Sequence, residues 1–130
     1  MPSSHSLTKI TKKGILYYYT CPSKAIMYND VQGIVDHYDG MLREIPEHKK
    51  WVWVFDSIDF GFMHAIQTTV AIEIAKIINK YSKHLTKIII INPTFYIKMM
   101  HTFLLPFLDP KVKDIIEMNY EVTCIEDLFL

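Results

Sequence analysis

Two stretches of the chain, Trp51 to Phe55 and Ile88 to Ile91, are apolar without interruption; the first is closed by Asp56 and the second by Asn92-Pro93. Short continuous apolar runs bounded by such residues predict strands buried on both faces, the pattern of a parallel sheet. Between them, Ile66, Val70, Ile74, Ile77, Ile78 and Tyr81 recur at spacings of three and four, with Gln67, Glu73, Lys76, Asn79 and Lys80 on the other side. That periodicity predicts an amphipathic helix from about Ala65 to Tyr81, after a loop over Asp56 to Met63. A helical crossover between parallel strands puts ligand sites beyond the strands' carboxyl ends, where Asp56 and Asn92 sit.

The remaining elements extend the same alternation. Gly14 opens a β-branched and aromatic segment, Ile15 to Thr20, which ends at Cys21-Pro22 and reads as the first strand, with Tyr17 and Tyr19 on one face. Asp30 is a candidate N-cap for a helix carrying Val31, Ile34, Val35, Tyr38 and Leu42 on one side. Thr94 is another, for a helix that Pro106 should end, and Pro110 suits the first turn of a short helix bearing Val112, Ile115, Ile116 and Met118. Tyr120 to Ile125 alternates like an edge strand, with a final turn over Glu126 to Leu130. The order β-α-β-α-β-α-α-β predicts an α/β fold with a mostly parallel sheet and right-handed crossovers.

One helix departs from the amphipathic pattern. Phe95, Tyr96, Ile97, Met99, Met100, Phe103, Leu104 and Leu105 surround most of its circumference, and only Lys98, His101 and Thr102 form a polar stripe. A helix apolar nearly all round meets something apolar on two sides. Those sides are either the sheet and the following helix, or the sheet and a hydrocarbon partner to which paired methionines adapt.

Composition narrows the classes. At 130 residues the chain suits one domain. Residues 1–13 are polar and basic and are expected to be a flexible tail without a secretory signal core, leaving 14–130 as the single domain. Two cysteines, Cys21 and Cys124, are too few for a disulfide scaffold and read as reduced, buried thiols of a cytoplasmic protein. Formal net charge is zero, so nucleic acid is not an expected partner. The six histidines never fall at zinc-ligand spacing, no Gly-x-Ser-x-Gly elbow occurs, and no base is nominated for Cys21, so neither metal, cofactor nor catalytic residue is assigned. Asp56 and Asp59 lack the Lys, Thr or Gly-rich partners of a phosphoryl-transfer site, and Asp56 reads as a cap on loop amides.

Four motifs in order carry a family resemblance. They are Trp51-Val52-Trp53-Val54-Phe55-Asp56, the helix ending Tyr81-Ser82-Lys83-His84-Leu85, then Lys87 to Pro93, then Leu105-Pro106-Phe107-Leu108-Asp109-Pro110. Together they resemble the core of the Sec14-like, or CRAL-TRIO, lipid-binding domain, and the compact form is most similar to the branch found in neurofibromin, Rho GTPase-activating and BCH-type scaffold proteins. The resemblance implies a sheet with crossover helices on one face and a helical gate, Thr94 to Leu108 with Pro110 to Met118, on the other. It implies a non-catalytic protein, peripherally associated with membranes, that binds or transfers a phospholipid or other amphiphile, phosphoinositides included. Ser82-Lys83-His84 stand where inositol-lipid carriers place a glutamate. The lipid-contact set is then Tyr17, Tyr19, Trp51, Trp53, Phe55, Phe95, Met99, Met100, Phe103 and Leu104, and Lys98, His101, Lys111 and Lys113 would meet headgroups or membrane. Trp51, Trp53 and Phe55 share one strand face; if that face is the cavity floor, its indoles shrink the space. The same resemblance leaves a second reading open, a lipid-free interaction module with a protein partner such as a small GTPase regulator, its cavity filled by its own aromatics.

Overall fold

The two apolar runs are interior strands of a five-stranded sheet in the computed structural model, which describes residues 7–130. Strands β1 (Leu7–Lys12), β2 (Ile15–Thr20), β3 (Trp51–Asp56), β4 (Leu85–Ile91) and β5 (Ile116–Asn119) lie in sequential order, β1 antiparallel to β2 and every other pair parallel. Helices α1 (Val31–Arg43), α2 (Phe62–Ala65), α3 (Thr68–Lys80), α4 (Phe95–Leu104) and α5 (Pro110–Asp114) fill the connections. The caps are those the sequence predicts: Asp30 Oδ1 accepts from the Gly33 amide at 3.1 Å and Thr94 Oγ1 from the Ile97 amide at 3.2 Å. Pro110 opens α5, and α4 gives way to a 3-10 turn containing Pro106.

Strand order fixes the layers. Right-handed crossovers that always step the same way across a sheet leave every helix on one face. Leu16, Tyr18, Trp51, Trp53, Ile88 and Ile90 point to that face and share one core with α1, α3 and α4. Val52, Val54, Ile89 and Ile91 point the other way and are covered by the C-terminal segment, through Ile125 with Val122, Leu128 and Phe129. The α/β class and mostly parallel sheet are as expected, whereas the gate helix lies on the same face as the crossover helices.

Four local expectations are corrected. Leu7–Lys12, placed in the tail, is a strand: Lys13 and Gly14, with φ of 52° and 78°, form the tight turn of a hairpin onto β2. Its two apolar residues, Leu7 and Ile10, are too few to give a period, and residues 1–6 lie outside the described region. The helix expected from Ala65 is two helices; the His64 ring accepts the Gly61 amide at 3.1 Å, closing a separate first turn. The last strand is Ile116–Asn119 rather than Tyr120 to Ile125, because Ile116 and Met118, read as helical, alternate with Glu117 and Asn119 beside β4. Cys21 is buried as expected, but Cys124 is exposed.

Candidate functional site

At the carboxyl ends of the central strands, Asp56 is buried and accepts three hydrogen bonds. Its carboxylate accepts from the Tyr19 hydroxyl at 2.6 Å, from Asn92 Nδ2 at 2.9 Å and from the Ile58 amide at 3.0 Å. Asn92 also donates to the Thr123 carbonyl at 2.9 Å and holds a φ of 51°, a left-handed conformation that asparagine tolerates. Burial and the hydrogen bond to Asp56 push the Tyr19 hydroxyl well above its ordinary pKa. These residues tie β2, β3, β4 and the C-terminal segment together, with both carboxylate oxygens hydrogen-bonded within the protein.

The cavity lies deeper, between the sheet and the helices. Trp53, Phe55, Ile88 and Ile90 make its floor, α1 and α3 its walls, and α4 its roof. Its volume is about 130 Å³, well above the roughly 10–15 Å³ that holds one water. Its size follows from small side chains: Ala71 and Ala75, one turn apart on α3, leave a gap among isoleucines. On α4 the side chains of Ile97, Met100, His101 and Leu104 face it, at the three- and four-residue spacing of one helix stripe.

Among the described residues no Asp, Glu, Lys or Arg lines this cavity. Tyr38 is buried, its hydroxyl donating to Thr20 Oγ1 at 2.9 Å, and burial raises its pKa. His64 and His101 are half-buried, and burial pushes both below the ordinary histidine value, which keeps them neutral at pH 7. Trp53 is 8 % exposed and its Nε1 is buried without a hydrogen-bond partner. A lone buried N–H costs about 1–3 kcal/mol.

The expected lipid-contact set divides by position. Trp53, Phe55, Met100 and Leu104 line the cavity, as does His101 from the headgroup set. Trp51 lies lower on the same strand face, packed edge-on against Tyr18 at 5.6 Å, with its Nε1 donating to the Tyr81 carbonyl at 3.3 Å. It does not fill the cavity. Tyr17 and Tyr19 are on the opposite sheet face, Tyr17 against Phe129 at 5.0 Å, because β2 alternates and Leu16, Tyr18 and Thr20 are the residues facing the helices. Phe95, Met99 and Phe103 form an outward stripe on α4, 69 %, 50 % and 42 % exposed. Lys98 lies over the Tyr120 ring at 4.9 Å, Lys111 donates to the Ser82 and Lys83 carbonyls, and Lys113 is exposed; none of the three lines the cavity. Sequence reasoning missed Thr20, Tyr28, Tyr38, Phe60 and His64. Only the Ala71 and Ala75 pair carried a readable signal, a small-residue gap in an otherwise bulky helix face.

Fold and cavity together define an α/β domain with an apolar chamber, partly open to solvent, roofed by a helix. Residues 28–129 match the CRAL/TRIO domain, and the chain belongs to that family. Domains of this family bind lipophilic ligands and are as a rule non-catalytic. A comparison with curated proteins finds no significant match. Among the described residues no helix is long and apolar enough to cross a membrane.

Proposed function

We propose that this domain shelters one lipid in the cavity and exchanges it at a membrane surface, with α4 and the turn after it acting as a movable gate. The observation that carries this reading is the pair of opposed apolar stripes on α4. One stripe faces the chamber, and the other, Phe95, Met99 and Phe103, faces outward and is substantially exposed. The outer stripe continues into exposed Phe107, whose ring lies 5.8 Å from Phe103, and through Tyr96 to exposed Phe62 on α2, 6.2 Å away. An exposed patch of this composition suits a bilayer surface. Each acyl methylene buried in the chamber gains about 0.8 kcal/mol, and a lid that opens against hydrocarbon exposes no apolar surface to water. Lys98 and Lys113 would add about 1 kcal/mol each at an anionic membrane. The protein is then a cytoplasmic, peripherally membrane-associated lipid carrier.

Native mass spectrometry of the protein purified without detergent tests the reading. A lipid of defined mass released from the folded protein is the expected result. A ligand-free protein that also takes nothing from vesicles would overturn it in favour of a lipid-free interaction module.

A further inference from the structure

The chamber's own chemistry restricts what it can hold. Among the described residues no Asp, Glu, Lys or Arg contributes to its lining, and its two histidines, His64 and His101, are half-buried. A phosphate or carboxylate inside would be a buried charge with no partner, which is strongly unfavourable. At about 130 Å³ the chamber suits one slender chain better than two. The polar groups of the lining are unequal. Tyr38 and Thr20 satisfy each other, Gln67 donates to the Met63 carbonyl at 3.4 Å, and Tyr28, His64 and His101 are half-buried and reach solvent. Trp53 alone is more than nine-tenths buried with an unpartnered donor. Trp53 lines the chamber, whereas Trp51, on the same strand face, donates its N–H to the Tyr81 carbonyl.

We propose that the ligand is an uncharged, single-chain lipophile bearing a hydrogen-bond-accepting oxygen, and that Trp53 Nε1 donates to that oxygen. The proposal rests on the lipid-binding reading and narrows it. The basic residues on the outside, Lys98 and Lys113, then serve the membrane and take no part in ligand recognition.

Delipidated protein titrated with methyl octyl ketone, decane and decanoate, followed by proton-nitrogen NMR, tests it. The chain has two tryptophans, hence two indole resonances. The ketone is expected to move the Trp53 indole resonance downfield and to bind about tenfold more tightly than decane, the worth of one hydrogen bond to an otherwise unpaired donor. Decanoate is expected to bind more than tenfold more weakly than the ketone. Trp53→Phe should erase the preference for ketone over decane while leaving decane binding in place. If that variant does not fold, the indole shift in the unmodified protein decides. Equal binding of ketone and decane without an indole shift, or tightest binding by decanoate, would overturn the proposal. Uptake of a two-tailed phosphatidylcholine from vesicles with none of the single chains competing would also overturn it and leave the lipid-carrier reading standing. Failure of all four ligands to bind would remove both.

Discussion

Asp56 is a buried carboxylate whose bonded neighbours are all neutral donors: a tyrosine hydroxyl, an asparagine amide and a backbone N–H. Hydrogen bonds to a charged group are worth about 1.5–3 kcal/mol each, so Asp56→Ala should lower the unfolding free energy in urea by about 3 kcal/mol or more. A loss below about 1 kcal/mol would mean that the loop holds itself. The cavity histidines make a separate pH prediction. His64 and His101 have folded-state pKa values below the ordinary 6.5, so the unfolded chain binds protons first as pH falls, and stability drops below about pH 6.5. Their contribution is complete above that value and declines toward the depressed folded values. The carboxylate Asp39, whose pKa is lowered by hydrogen bonds from Lys80 and Tyr81, loses its contribution only on further acidification through its own range. Thermal melts between pH 7.5 and 5.5 should therefore show a falling midpoint, and the double change His64→Gln, His101→Gln should flatten it. A slope unchanged in the double variant would assign the decline to other groups. The capping role of Asp56 was readable from its place after an apolar run and before a loop. The place of Asn92 beside it at the strand ends was readable too, but the bonds of Asp56 to Asn92 and Tyr19 were not, since they join residues distant in sequence.

At the scale of elements, α4 is the informative case. An apolar circumference said that the helix meets apolar matter on two sides, and among the described residues protein buries only one of them. Ile97 and Met100 are buried, whereas Phe95, Met99 and Phe103 remain exposed at i, i+4 and i+8. Met99→Glu places a charge in the middle of that outer stripe without touching the cavity side. It should abolish co-sedimentation with anionic vesicles while the far-ultraviolet circular dichroism stays unchanged. Sedimentation equal to that of the unmodified protein would count against insertion of this face. The divided helix at Ile66 and the displaced last strand show where periodicity misleads. Ile66 fits the α3 repeat but is 46 % exposed, because the chain turns between Ala65 and Thr68. Ile115, Ile116 and Met118 satisfy both a helical and an alternating pattern over so short a span that only pairing with β4 distinguishes them.

For the whole molecule, sequential strand order has a consequence: among the described residues the α-helices crowd one sheet face, and the other depends on the last eleven residues. Ile125 is the buried centre of that cover, over Val54 and Ile91. Ile125→Ala should cost about 2–4 kcal/mol in urea unfolding, more than an exposed position in the same segment such as Glu121. If Ile125→Ala unfolds at the same urea concentration as the unmodified protein, the second face does not need its cover. The α/β class, the parallel pairing of the two apolar runs, the caps at Asp30 and Thr94 and the stop at Pro106 were all set by sequence, because each follows from local periodicity or from one residue's backbone chemistry. The hairpin at Lys13-Gly14, the choice of Ile116 to Asn119 as a strand and the face on which α4 packs were decided by tertiary structure, because each depends on distant backbone groups finding partners. The two indoles of β3 show the division most sharply. Alternation places Trp51 and Trp53 on one face, but only the folded chain brings the Tyr81 carbonyl to the first and leaves the second, at the cavity, with a proton and nothing to give it to.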